Sequence, residues 1–64
     1  PESFDEDTLG LIQTIRELEP VTISKLYRSM DLSKNKIDGI LSVLVFWDVI
    51  RMEMSEAGTF YCTE

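Results

Sequence analysis

The stretch Ser33 to Trp47, SKNKIDGILSVLVFW, constrains this chain more than any other, because it joins a helix start, an apolar stripe of helical period and an unusual far side. The Ser33 hydroxyl is placed to accept a hydrogen bond from a backbone N–H of the first turn. Ile37, Ile40, Leu41 and Leu44 then follow at the i, i+3, i+4, i+7 spacing of one buried face. At about 100° per residue, Asn35, Gly39, Ser42 and Phe46 fall on the opposite side, where a surface helix ordinarily carries long charged residues. What that small, apolar far side touches is the functional question.

The rest of the chain builds a scaffold around this helix. Ser3-Phe4-Asp5-Glu6 matches a capping box, and Asp5, Glu6 and Asp7 suit the positive end of a helix dipole, so a first helix is expected to start there. Leu11, Ile12, Ile15 and Leu18 form its buried stripe with Leu9 at the edge, and Gly10 is expected to pack closely against a neighbouring backbone. Glu19-Pro20 ends it, because the residue before proline is biased out of the α region. Val21-Thr22-Ile23 reads as a short strand. Thr22 or Ser24 caps a second helix, Ser24 to Met30, with Leu26, Tyr27 and Met30 turned inward, and Leu32 anchors the turn that follows.

After Trp47, Asp48 makes the break. Val49 to Met54 reads as a strand with Ile50, Met52 and Met54 on one face, the two methionines serving as core filler. Ser55-Glu56-Ala57-Gly58 has the composition of a hairpin turn. The return strand, Thr59 to Thr63, is expected to place Phe60 and Cys62 inward and Tyr61 outward. The whole is one α+β domain of 64 residues in the order α-β-α-α-β-β. A chain this short buries only about 60% of its unfolded surface, which leaves no room for a large enclosed pocket. It opens at Pro1 without an initiator methionine and is read as a fragment of a larger protein.

Composition narrows the function classes. With one cysteine and no histidine, an internal disulfide, the usual zinc spacings and the commonest general base are all missing. No catalytic residue, metal, cofactor or small-molecule substrate is expected. No apolar run approaches the ~20 residues that span a bilayer, and the acidic N-terminus is unlike a targeting peptide, so an intracellular location without membrane insertion is expected. The net charge of −6 opposes a phosphate backbone on average. Its distribution is uneven: Lys25, Arg28, Lys34 and Lys36 stand against Asp31 alone in the middle of an otherwise acidic chain.

The order of elements, with a core helix third and a hairpin last, resembles the winged-helix superfamily across nearly the whole chain. Val21-Thr22-Ile23-Ser24-Lys25-Leu26 is like the first strand entering the second helix, and Asp31-Leu32-Ser33 is like the tight turn. Leu44 through Met54 to Tyr61 is like the end of the recognition helix and the wing. Trp47-Asp48 departs from the small residue commonly kept between the third helix and the second strand. Among acidic members the chain looks most like the C-terminal winged helices of replication protein A middle subunits and of kleisins. It lacks the glutamine and acid pair usual at the kleisin hairpin, having Met54-Ser55-Glu56-Ala57-Gly58 there. Both groups dock proteins, which implies an intracellular assembly that handles nucleic acid, nuclear in a eukaryote and cytoplasmic otherwise.

Two functions compete on these residues. Protein docking, to a peptide, a helix or a second copy, is expected through the third helix and wing. Gly39 and Ser42 there admit a partner backbone, Val45 and Phe46 offer apolar surface, and Tyr61 is a second anchor. The alternative is DNA binding, with Lys34, Asn35 and Lys36 at the start of the recognition helix and Lys25 and Arg28 on phosphates. Against it, the outer face beyond Asn35 offers Asp38, Gly39, Ser42 and Phe46, and Glu53 and Glu56 on the hairpin repel phosphate.

Overall fold

A computed structural model describes residues 4–63. The first helix, α1 (Glu6–Leu18), is capped by Asp5, whose Oδ1 accepts from the Thr8 amide at 2.9 Å. The cap is therefore Asp5 and not the capping box from Ser3, which lies outside the described residues. Leu11, Ile12 and Ile15 are buried as their spacing requires. Leu18 is 38% exposed, contrary to expectation, because the helix ends at this residue and the chain turns away at Glu19-Pro20, whose peptide bond is cis. The Gly10 expectation is also corrected. A Cβ there would meet only the side-chain Cε of Met30 at 3.9 Å, and no backbone comes close.

Strand β1 (Val21–Thr22) leads directly into α2 (Ile23–Ser29), capped by Thr22, whose hydroxyl accepts from the Lys25 amide at 3.2 Å. Only Leu26 of α2 is fully buried, while Tyr27 and Met30 pack partly against the core. The third helix, α3 (Lys34–Phe46), has the expected Ser33 cap, with Oγ accepting from the Lys36 amide at 3.2 Å. Ile37, Leu41 and Leu44 are buried; Ile40 is only half-buried.

The end of α3 explains the Trp47-Asp48 departure. Asp48 N–H donates to the Val45 carbonyl at 3.1 Å and Val49 N–H to that of Leu44 at 2.9 Å, the paired bonds of a Schellman stop. That stop needs a left-handed residue, and Asp48 fills it with φ of 62°. The chain leaves as β2 (Ile50–Ser55), turns through Glu56 and Ala57, and returns as β3 (Gly58–Thr63). Gly58 takes φ of 130° at the turn.

The three strands form an antiparallel sheet in the order β1-β3-β2. With the helices, they complete the α-β-α-α-β-β layout of a winged-helix-like fold. The register decides which side chains enter the core. Tyr61 is opposite both Val21 and Met52, so it shares their face and is buried, while Phe60 and Cys62 lie opposite Glu53 and Arg51 on the other face. The expected orientation of β3 is thus reversed, because side-chain direction has a period of two and one residue of register swaps the faces. Cys62 consequently sits beside Arg51, whose Nη2 donates to its Sγ at 3.4 Å. Ile50 is buried, but Met52 and Met54 are 48% and 76% exposed, because the hairpin projects past the small core; they are not core filler.

Candidate docking groove

The structure brings four of the five expected docking residues together. Ser42, Val45 and Phe46 of α3 form one wall of a groove of about 600 Å³, and Met52 of β2 forms the other. Leu41 and Tyr61, both buried, make its floor. Tyr61 therefore contributes from beneath and is not an exposed anchor on the hairpin's outer face. Phe46 is 81% exposed at the rim, so among the described residues neither the hairpin nor the start of the chain covers it. The helical period carries it there, since the core takes Leu41 and Leu44 and Phe46 falls outside the stripe they define.

One end of the groove is polar. Tyr27 Oη donates to Asp38 Oδ1 at 2.6 Å, tying α2 to α3, and the Lys34 ammonium lies 5.4 Å from the Tyr27 ring centroid. The bond to Asp38 pushes the Tyr27 phenol above its ordinary value, and burial, with a smaller contribution from Asp38, does the same to Tyr61. Both phenols therefore stay neutral well into the alkaline range.

Gly39 belongs to a different groove, of about 370 Å³, on the other flank of α3. Phe4, Ile40, Val43 and Trp47 line it, and the Phe4 and Trp47 rings are tilted with centroids 6.0 Å apart. A Cβ on Gly39 would meet nothing within 4 Å, so the position is open to an approaching backbone.

The basic residues expected to touch nucleic acid are spread over three places. Lys36 lines the Gly39 groove with Asn35 and pairs there with Asp7, Nζ to Oδ2 3.4 Å. Lys34 sits over Tyr27. Lys25 borders a separate cleft with Leu18, Val21 and Phe60, and Arg28 follows it on the exposed side of α2. A helix entering a major groove needs its donors along one face, and Asp38 interrupts the face that Asn35 begins.

Sequence reasoning missed Met52, Tyr27 and Asp38 as groove residues. Met52 carries the right signal, an apolar residue alternating with charges on a terminal hairpin, but alternation does not tell how far the hairpin extends beyond the core. No protein-family model, curated protein or solved structure matches the chain. Among the described residues no helix is long and apolar enough to cross a membrane.

Proposed function

We propose that this chain is a winged-helix protein-docking module of an intracellular, nucleic-acid-handling assembly, and that it binds a partner protein in the groove between α3 and β2. The observation that carries the reading is the 81% exposure of Phe46 above a floor made by Leu41 and Tyr61. Exposed aromatic rings beside apolar grooves mark interaction sites, because burying such a ring on association releases most of its apolar surface from water. Met52 adds an unbranched, adaptable wall suited to side chains of varied shape. The resemblance to acidic docking winged helices points the same way, as does the net charge of −6, which disfavours a polyanion.

Affinity capture from an extract of the native cells tests the reading. The bound species is a protein that survives nuclease treatment and is lost with Phe46→Asp. Recovery of duplex DNA that depends on Lys34 and Lys36 would establish the DNA-binding alternative instead.

A further inference from the structure

The strand order β1-β3-β2 leaves β2 as an edge strand among the described residues, and its register with β3 runs without a bulge from Ile50 to Ser55. Natural edges are commonly blunted by proline, bulges, very short strands or charges, and of these the six residues of β2 carry only the charges of Arg51 and Glu53. We propose that this edge pairs with the same edge of a second copy, antiparallel about a two-fold axis, with Met52 opposite the partner's Met52. This rests on reading the face made by α3 and the wing as a docking surface, and it names the occupant.

The charges along this edge are self-complementary although each copy carries −6 overall, and they set the register. A two-fold pairing places residue i opposite residue j with a constant sum, and side chains keep to their own face only when opposite residues differ by an even number. In the proposed register Arg51 stands opposite the partner's Glu53, and Glu53 opposite the partner's Arg51. Shifting one way puts two copies of Arg51 face to face, and shifting the other way does the same to Glu53. Directly opposed like charges destabilise a sheet, whereas opposite charges support it. Within one chain Arg51 Nη2 and Glu53 Oε2 already lie 3.6 Å apart on the outer face, with both side chains more than half exposed, so they are accessible to a second strand.

The other face of the seam is equally self-complementary. Ile50 stands opposite the partner's Met54, and Met54 opposite the partner's Ile50. An axis perpendicular to the sheet sets both α3 helices on one side of a continuous six-stranded sheet, so Phe46 of each copy borders the shared apolar face. Met54 and Phe46 are the two most exposed large apolar residues described. Main-chain hydrogen bonds along the joined edges supply the attraction, and the side-chain pairs fix the register.

Sedimentation equilibrium tests this with the whole chain over a wide concentration range, in about 0.3 M salt to screen the repulsion between acidic copies. The wild type associates to a dimer. Arg51→Glu and Glu53→Arg each weaken association roughly tenfold, because like charges then face each other twice across the seam. An equimolar mixture of these two variants recovers the association, since one chain then brings two acids and the other two bases. The double variant R51E/E53R, with net charge unchanged, recovers it as well. Arg16→Glu alters net charge as much as Arg51→Glu but lies on α1, and it leaves association as in the wild type. A chain that stays monomeric throughout, or single variants that associate as tightly as the wild type, overturns the pairing. In that event a cross-link from position 46 to a protein of different mass leaves the docking groove standing, and the lack of any protein adduct removes both.

Discussion

Met52 and Tyr61 are cross-strand partners on one face of the hairpin, yet Tyr61 is 8% exposed and Met52 48%. The core ends between them. Tyr61 lies over the helices with Val21 and Leu26, while Met52 overhangs the groove that Phe46 borders on the opposite side. The boundary of the hydrophobic core thus serves as the floor of the candidate site.

Stability and docking should therefore separate cleanly between Phe46 and Tyr61. Phe46→Ala changes unfolding free energy by no more than about 0.5 kcal/mol, as expected of an exposed residue. Tyr61→Ala leaves a cavity under the sheet and costs about 3 kcal/mol or more, a large share of the stability of so small a domain. Urea denaturation of the two variants measures both.

Two backbone positions should respond in opposite ways to the same kind of exchange. Gly10→Ala stabilises α1 by up to about 1 kcal/mol, because the new methyl meets only Met30 Cε at 3.9 Å and the helix gains propensity. Gly58→Ala destabilises the hairpin, since φ of 130° strains any residue with a Cβ. At the end of α3, Asp48→Gly relieves a left-handed aspartate and raises stability by roughly 1 kcal/mol, and Asp48→Val lowers it. Thermal melts of these variants rank them.

Acid should loosen the junction between the end of α1 and the last strand. The Glu19 carboxylate accepts from the Thr63 amide at 2.7 Å and from its hydroxyl at 2.8 Å, and these bonds hold its pKa below the ordinary 4.5. Asp5 is held below its ordinary 3.8 by Thr8, through the side chain first and then the amide. A depressed carboxylate pKa means the unfolded chain binds the proton first. The contribution is fully present above the ordinary values and is lost as pH falls below them through the folded pKa values. A stability profile against pH should decline from about 4.5 downward. Glu19→Gln should remove part of that decline while lowering stability at neutral pH.

The order of elements is legible in the sequence because each boundary has a local chemical cause. Ser33 caps α3, proline follows α1, and Ser55 to Gly58 turns the hairpin. The exposure of Phe46 is legible for the same reason, since a 3.6-residue period cannot bury every side of an apolar turn. The facing of β3 is not, because Phe60, Tyr61 and Cys62 are all apolar enough for either face and only pairing with Val21 selects Tyr61. Nor is the cap of α1, where Ser3, Asp5 and Asp7 offer competing oxygens and Asp5 takes the role. Gly39 and Ser42 look alike as small residues on one side of α3, but they open on different flanks, a separation that depends on how α1 and the hairpin lie along the helix.

Duplex DNA binding by the isolated chain should be weak and without sequence preference. Lys36 is engaged by Asp7 at 3.4 Å, and Lys25 and Lys34 open on different surfaces. Fluorescence anisotropy with random and mixed duplexes should give a single low affinity that vanishes as salt rises, the behaviour of diffuse electrostatic contact.

Site-specific photo-cross-linking inside the native cell tests the docking claim most directly, with a photoreactive phenylalanine analogue placed once at position 46 and once at position 34. A discrete protein adduct is expected from position 46, abolished by Met52→Asp on the facing wall, with no nucleic-acid adduct from position 34. A nucleic-acid adduct from position 34, with no protein captured at position 46, would contradict it.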